Sequence, residues 1–366
     1  MLEKGIISNR QFILLVALIT IGDSILVLPA ITVSAAKQDG WISALIGLAV
    51  GLVIISLFCK VGKLYPQLNL IESIQQIFGK WVGTIVSFVF LTYPFLSAVT
   101  HIRETGDFIV TEIMPETPIQ AILILWSCVF TMAVQLGLEV IGRIGEIFFP
   151  WVMFLFLIFI VFLLSEIKID NIKPFLENGL RPVIHGSLTF TAFSFMELVG
   201  FLMIFPYVKH PNKIQKGFIQ GALIGGITLV ILIVISILVL GPDLTARSTY
   251  SSYTLAMKVR IGSFLERVEI ILAIMWILTT FFKIVLNIYI VNLGLAHLLK
   301  LSEYRVLIFP LIVIIIALAS IIVPNTTYFG ILVSQYWPFF DLTFAVILPL
   351  LLLGVYYIRQ SFNVLK

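Results

Sequence analysis

Long apolar runs separated by short polar segments make up most of the chain. A membrane-spanning helix needs ~20 consecutive apolar residues, and ten runs reach or approach that length. They are numbered here in chain order: residues 12–33, 41–59, 81–100, 119–138, 147–164, 187–207, 217–240, 268–296, 306–323 and 330–357. Because lipid offers no partner to a backbone N–H or C=O group, each run is predicted to be a helix. We therefore predict an all-α integral membrane protein with ten transmembrane helices in one transmembrane domain, residues 1–366.

The composition agrees with this prediction, since 60% of the residues are hydrophobic, 11% are charged and the mean hydropathy is +1.13. Lys4 and Arg10 precede the first run, and Val33-Ser34-Ala35 resembles the cleavage site of a signal peptide. The apolar region of a signal peptide has only ~7–15 residues. Run one is longer and contains Asp23 and Pro29, so we expect it to remain as the first helix.

Runs one and six are interrupted in the same way. Gly22-Asp23-Ser24 and then Pro29 interrupt run one, and Glu197-Leu198-Val199-Gly200 followed by Pro206 interrupt run six. In secondary transporters, matched breaks in the two halves of the chain indicate a ligand site near the centre of the membrane. We predict a 5+5 inverted repeat, with repeats at about residues 9–165 and 187–358, and recognition of a small ligand as in transporters.

Runs two and seven, which correspond to each other in such a repeat, each carry a small residue at every fourth position. Such faces let helices approach closely in lipid, although they are common in membrane helices and usually only pack. The residues are Ser43, Gly47 and Gly51 in run two and Gly217, Gly221 and Gly225 in run seven.

The basic residues predict that both termini are cytoplasmic. With that orientation, thirteen of the 23 lysines and arginines lie on the inside: Lys4, Arg10, Lys60, Lys63, Lys80, Arg143, Lys209, Lys213, Lys216, Lys300, Arg305, Arg359 and Lys366. The net charge of +4 reflects this bias. The basic residues form no stripe with interleaved aromatic residues, so no nucleic-acid partner is predicted; the partner surface is the lipid bilayer.

Chemical motifs are absent from the sequence. Cys59 and Cys128 form neither a CxxC pair nor a disulfide framework. The four histidines show no metal-ligand spacing, and no catalytic or nucleotide-binding motif occurs. We predict no enzyme activity, no cofactor and no metal.

Ionisable side chains inside a membrane helix cost ~2.5–3.5 kcal/mol each on insertion, so they tend to be paired and functional. Asp23, Glu197 and Lys283 are the main candidates. Asp341 is a weaker one, since it is expected near the outer end of run ten as a solvated or capping acid.

Run three has two further features. His101, together with Arg103 and Glu104, is expected to mark the outer end of its helix. Tyr93-Pro94 places a phenol beside a proline kink at midplane depth, which either shapes a pocket or is a packed aromatic residue.

A series of short motifs in a fixed order resembles one family, the endospore germination permeases. These are the B subunits of spore germinant receptors, within the amino acid–polyamine–organocation superfamily. The resemblance covers essentially the whole chain and rests on Gly22-Asp23-Ser24-Ile25-Leu26-Val27-Leu28-Pro29, Asp39-Gly40-Trp41, Gly79-Lys80-Trp81-Val82-Gly83, Thr117-Pro118-Ile119, Phe193-Ser194-Phe195-Met196-Glu197 and Phe205-Pro206.

The resemblance implies a leucine-transporter-type fold with its site between helices one, three, six and eight. It also implies a complex with an A subunit and a C-subunit lipoprotein in the spore inner membrane. Members of the superfamily usually have small residues at the first break, where backbone N–H groups bind a ligand carboxylate, but here Asp23 stands there. An ionised Asp23 would repel a carboxylate, so it faces helix eight, binds an amine or is protonated.

Lys283 lies in the middle of run eight, after Thr279-Thr280-Phe281-Phe282. Sodium-coupled relatives of this fold bind the ion between helices one and eight, where a fixed ammonium group could replace it. Three interpretations stay open: Lys283 takes part in ligand recognition or coupling, it only pairs with Asp23 or Glu197 and locks the bundle, or it snorkels to the interface.

We expect a B subunit that senses a small nutrient, an amino acid, and triggers spore germination. The alternatives are a proton-coupled amino-acid permease and a scaffold for the A and C subunits, although a scaffold needs no acids in its helix breaks. The expected ligand-binding residues are Gly22, Asp23, Ser24, Ile25, Tyr93, Ser194, Phe195, Glu197 and Thr280, with Lys283 as the charge-pair or ion-substituting residue.

Residues 241–266, after run seven, are too polar to span a membrane. Leu255, Ala256, Val259 and Gly262 have helical spacing, which predicts a short amphipathic helix. It either forms a lid over the outer vestibule, as the resemblance suggests, or rests on the bilayer.

Overall fold

The computed structural model describes residue 3, residues 5–258 and residues 267–362, and this part of the chain is almost entirely helical. The helices of the first half are α1 (Asn9–Ile21), α2 (Ser24–Ala36), α3 (Gly40–Gly62), α4 (Leu70–Phe78), α5 (Lys80–Phe108), α6 (Ile119–Leu136) and α7 (Leu138–Leu163). Those of the second half are α8 (Leu180–Phe195), α9 (Ile214–Leu240), α10 (Pro242–Arg247), α11 (Ser251–Ala256), α12 (Glu269–Leu298), α13 (Ile308–Ile321), α14 (Thr326–Ile331), α15 (Trp337–Leu342) and α16 (Leu348–Ser361). A 3₁₀ helix, Met196–Met203, continues α8.

The all-helical, multi-pass architecture is confirmed, but the count of ten helices is not confirmed exactly. Eight helices of the described residues are long and apolar enough to cross a membrane. Two shorter apolar helices accompany them, Asn9–Ile21 and Arg305–Ile321. Two runs account for the difference. Run one divides at its break, and its second half, α2, continues into α3 as one helical stretch, Ser24–Gly62; the helix of run nine, Arg305–Ile321, is shorter than the eight.

Both predicted interruptions are present. Gly22 ends α1 with φ 37° and ψ −135°, a conformation that favours glycine. A Cβ added there would lie 2.8 Å from the Ile19 carbonyl oxygen and 2.8 Å from Cδ of Lys283. At the second break, α8 ends at Phe195 and the tighter 3₁₀ helix runs to Met203. At each break, therefore, the regular α-helical hydrogen-bonding pattern is interrupted in the interior of the protein.

The two small-residue faces pack against the broken helices in a reciprocal way. α9 lies against α1, where a Cβ added to Gly221 would be 2.5 Å from the Ile13 carbonyl oxygen. α3 lies against α8, where a Cβ added to Gly47 would be 2.6 Å from Cδ1 of Phe190. Run seven thus supports the helix of run one, and run two supports that of run six. An inverted repeat predicts this exchange of partners.

Gly221→Leu is expected to reduce the amount of folded protein severalfold. The new side chain would press on the backbone of α1, and overpacking costs ~1–3 kcal/mol or more. Gly354→Leu is the matched control, because Gly354 is helical and a Cβ there meets nothing within 4 Å. Gly241 is unsuitable as a control, because at its φ of 80° any side chain would strain the backbone. Size-exclusion chromatography of a fluorescent fusion measures both variants, and equal yields would show that the α9–α1 contact tolerates a leucine.

The N-terminal segment closes one side of the bundle. The Ile7 N–H donates to the Tyr207 carbonyl at 2.9 Å, and the Lys209 N–H donates to the Ile7 carbonyl at 3.0 Å. Beside this short pairing, aromatic rings from four helical elements pack edge to face: Phe12, Phe201, Phe205 and Phe218. This side of the protein is therefore tightly packed.

On the opposite side, α10 and α11 follow the end of α9 and pack on α2. Leu255 and Ala256 are buried in α11, as the helical spacing predicts. Val259 and Gly262, the other two residues of the predicted amphipathic helix, lie outside the described residues. The described part of this segment thus covers the bundle, and its role as a lid stays a prediction.

Candidate functional site

A buried group of charges joins the two helix breaks. Asp23 lies between α1 and α2, Glu197 lies in the 3₁₀ helix after α8, and Lys283 lies midway along α12. The Lys283 ammonium donates to Oδ1 of Asp23 and lies 3.1 Å from Oε2 of Glu197. Its side chain is 1% exposed and those of the two acids are 5% exposed. One cation therefore bridges the acids of both breaks.

The backbone of the first break is shaped to admit Lys283. Because Gly22 has no side chain, the Lys283 stem passes directly over it. One turn earlier on α12, the Thr279 hydroxyl donates to the Gly22 carbonyl at 2.8 Å. The Lys283 ammonium also lies 3.4 Å from the Phe193 carbonyl of α8, and the Ser24 hydroxyl donates to that carbonyl at 3.2 Å. Freed carbonyls of both breaks are thus paired with donors from neighbouring helices.

α5 adds a histidine to this group, which corrects the expectation that residues 101–104 mark an outer helix end. α5 runs to Phe108, and His101, Arg103 and Glu104 are all buried in it. Nε2 of His101 lies 3.4 Å from Oδ2 of Asp23 and 3.8 Å from Oε1 of Glu197. The expectation was wrong because His101 and Arg103 contact buried groups from other parts of the chain, so α5 does not end where its polar residues begin.

A second buried pair lies beside the first. The Tyr93 hydroxyl of α5 donates to Oδ1 of Asp341 at 2.9 Å. Asp341 lies in α15 and is fully buried, so the expectation of a solvated or capping acid at the outer end of run ten is wrong. The physical reason is that the Tyr93 phenol of α5 supplies a hydrogen bond that water would otherwise give.

A cavity of about 390 Å³ lies above the charge group, on the side opposite the N-terminal segment. Its polar floor includes Asp23, His101, Glu104 and Glu197, and α2 and α8 supply apolar wall from Val27, Ile31 and Phe193. Its mouth is formed by Arg247 at the end of α10, by the residues that follow it up to Tyr250, and by the start of the last run. A small molecule would reach the charge group from that side.

The residues predicted from the sequence divide between the cavity wall and the layer behind it. Asp23 and Glu197 line the cavity. In the part of the chain that the structure describes, the other residues predicted to bind the ligand are buried but do not line this cavity. They are Ser24, Ile25, Tyr93, Ser194, Phe195 and Thr280, together with the Gly22 backbone. Within the described chain, the hydroxyls of Ser194 and Thr280 have no hydrogen-bond partner.

Sequence reasoning missed His101, Glu104 and Phe193 as cavity residues. A signal for the first two was present in run three. Tyr93, Ser97, His101 and Glu104 are spaced by four, four and three residues, which puts them on one face of a helix. A polar stripe at that spacing within an apolar helix indicates a face turned toward the bundle interior. Phe193 carries no such signal, since it lies within an apolar stretch.

Solved structures show the same fold. MhsT in complex with L-phenylalanine aligns with a TM-score of 0.69 at 14% identity, covering 97% of this chain and 99% of that one. Mhp1, a nucleobase-cation-symport-1 family transporter, aligns with a TM-score of 0.64 at 11% identity, covering 89% and 75%. The predicted leucine-transporter-type fold, with its broken first and sixth helices, is confirmed.

Sequence comparison gives the family. The family described as "Spore germination protein" matches residues 6–329. Spore germination protein KB of Bacillus subtilis (strain 168) is 30% identical over 327 residues, which are 88% of this chain and 87% of that protein. The chain therefore belongs to the germination permease family of spore germination proteins.

Proposed function

We propose that this protein is the B subunit of a spore germinant receptor and that it senses an amino acid in the cavity between the two breaks. The observation that carries the proposal is the cavity itself, whose floor is formed by the acids of both breaks, Asp23 and Glu197. In this fold, the breaks are where ligands bind. Family membership and the amino acid named for MhsT support the nutrient class.

In this proposal, the first break holds one end of the ligand and the sixth break holds the other. Asp23 and Glu197 contact the ligand, and the buried residues behind the cavity wall hold the helices in place. Lys283 stands in for an exchangeable sodium ion, since it bridges α12 to both breaks. A covalently tethered cation cannot cross the membrane as a sodium ion does, which disfavours a sodium-coupled carrier.

The proposal extends to the surroundings of the protein. The partners are an A subunit and a C-subunit lipoprotein, the membrane is the inner membrane of the spore, and both termini are cytoplasmic. The basic loops support the orientation. The family membership supports the complex and the membrane.

A proton-coupled amino-acid permease is the second candidate, and one observation favours it. His101 faces Asp23 and Glu197 at the cavity floor, so a titratable group lies where a coupling proton would bind. Uptake of labelled amino acids into proteoliposomes, driven by a pH gradient, would support the permease. Saturable binding without uptake would support the sensor.

We expect Asp23→Asn and Glu197→Gln each to lower amino-acid affinity at least tenfold, because both acids line the cavity. The measurement is a calorimetric screen of amino acids against the purified protein with its partner subunits, followed by germination assays of spores carrying each variant. Asp170→Asn is the control, since the Asp170 side chain is 97% exposed. Wild-type affinity and dose response in both variants, at equal protein level, would remove the acids from the site.

A further inference from the structure

Glu104 is a buried acid with no partner in the described part of the chain. It is 6% exposed, lines the cavity and makes no hydrogen bond or ion pair there. Lys283 is already engaged by Asp23 and Glu197, and Arg103, the nearest cation along α5, is bound to Asp107. An unpaired buried carboxylate is costly. Such a group at a cavity wall indicates that its partner arrives with a ligand.

In its neutral form, His101 presents a second acceptor toward the same space. Its Nδ1 lies 2.5 Å from the Ser97 carbonyl oxygen, and a carbonyl only accepts, so Nδ1 carries the hydrogen. In the neutral ring Nε2 is then a lone pair, and it faces Oδ2 of Asp23 at 3.4 Å. Two acceptors this close repel each other unless a donor lies between them. A ligand nitrogen with several N–H bonds, placed beside them, would donate to both.

The three acceptors are placed for a single donor group. One ligand atom from each of Asp23, His101 and Glu104 lies within 4.8 Å of the other two. An ammonium group donates at ~2.8 Å, and atoms no farther apart than these can all lie within that distance of one nitrogen. Next to the acceptors, the cavity wall is apolar, with Val27 and Ile31 on α2. Such a wall fits the carbon part of an organic cation better than the water shell of a metal ion.

We propose that Glu104, with Oδ2 of Asp23 and Nε2 of His101, binds the ammonium group of a small primary amine that carries an apolar carbon chain. This inference rests on the proposed function and deepens it, because it assigns the amino end of the nutrient to α5 and the first break. The three N–H bonds of the ammonium group donate one each to these acceptors. The carbon chain lies along α2 toward the mouth of the cavity.

The test uses isopentylamine as the probe, with its N,N,N-trimethyl derivative and isovalerate as comparison compounds. Calorimetry on the purified complex in nanodiscs measures their binding. We expect isopentylamine to bind, the trimethyl compound to bind at least tenfold more weakly because it has no N–H, and isovalerate not to bind. Glu104→Gln is expected to weaken the binding of isopentylamine at least tenfold. Glu112→Gln is the matched control, because Glu112 follows α5 on the same helical stretch but is exposed.

Stability separates a ligand role from a structural one. Without probe, Glu104→Gln should unfold at the same temperature as the wild type or higher, because the near-isosteric change breaks no hydrogen bond or ion pair of Glu104 within the described chain. A lower unfolding temperature would show that Glu104 has a structural partner and would overturn the proposal. Equal isopentylamine affinity in Glu104→Gln and wild type would also overturn it, as would binding of Mn²⁺ that is lost in Glu104→Gln while amine binding is unchanged.

The same experiments distinguish this inference from the proposed function. Amino-acid binding that is insensitive to Glu104→Gln and to methylation of the amine would refute the ammonium site and leave the nutrient sensor in place. Isopentylamine binding that depends on Glu104, in a complex that binds none of the amino acids, would support the ammonium site and refute the amino-acid nutrient.

Discussion

Lys283→Met is expected to remove most of the folded protein from the membrane. The Lys283 side chain is 1% exposed, and within the described chain it is the one lysine or arginine that contacts both Asp23 and Glu197. Removing one member of a buried charge group leaves the others uncompensated, which typically costs ~3–5 kcal/mol. Quantitative blotting of membranes and thermal unfolding in detergent measure the effect. Lys216→Met is the control, since Lys216 is exposed at the start of α9.

Second substitutions identify which acid is the principal partner of Lys283. Lys283→Met with Asp23→Asn should restore more folded protein than Lys283→Met with Glu197→Gln. The reason is that Lys283 forms an ion pair with each acid but also donates a hydrogen bond to Asp23. The germination response of the rescued double variant then separates two roles. A restored response means that the charge only locks the bundle, and a missing response means that it takes part in recognition.

The opposite result would be informative as well. If Lys283→Met left both the amount of protein and the response intact, the ammonium group would not be needed in either role. The proposal that it replaces an ion between α12 and the two breaks would then be wrong.

The breaks and their acids were predictable from the sequence because the membrane makes them conspicuous. A glycine beside an acid in an apolar run, as at Gly22-Asp23, is costly in lipid unless a neighbouring group pairs with it. Lys283 stood out for the same reason. The sequence left the pairing open, since any of the candidate acids satisfies the charge, and only the helix packing places Lys283 over Gly22.

The buried polar groups near helix ends were harder to predict. His101, Glu104 and Asp341 lie within a few residues of polar segments, where a solvated position is the ordinary outcome for ionisable groups. Their burial depends on contacts with distant parts of the chain, such as the hydrogen bond from Tyr93 to Asp341, 248 residues away. The regular spacing of the polar residues in run three indicated one buried helix face. Their number, however, suggested the end of a membrane helix, and that interpretation was preferred.

Arg103 shows how a charged residue at such a position fastens the helix that carries the site. Its Nε donates to both carboxylate oxygens of Asp107 at 3.0 Å, four residues later on α5. Its Nη1 donates to the carbonyls of Ala319 at 3.2 Å and Val323 at 3.3 Å, around the end of α13. The last carbonyls of a helix have no partner within it. One guanidinium thus supplies donors to a helix end and to an acid, and it ties α5 to α13.

We therefore expect Arg103→Met to destabilise the protein by ~3–5 kcal/mol, because it leaves Asp107 and the helix end unpaired in a buried region. Arg143→Met is the matched control. Arg143 also pairs with an acid four residues away, Glu139, but their side chains are 67% and 45% exposed, and such pairs contribute ~0.2–1 kcal/mol.

Thermal and denaturant unfolding in detergent compare these two variants. The stability of Arg103→Lys should lie between those of the two variants. Lysine keeps the charge, but it lacks the planar guanidinium that donates in two directions. His101 and Glu104 lie on either side of Arg103 along α5, so loosening α5 from α13 should also weaken binding in the cavity. Equal stability of Arg103→Met and Arg143→Met would show that α5 is held in place by apolar packing alone.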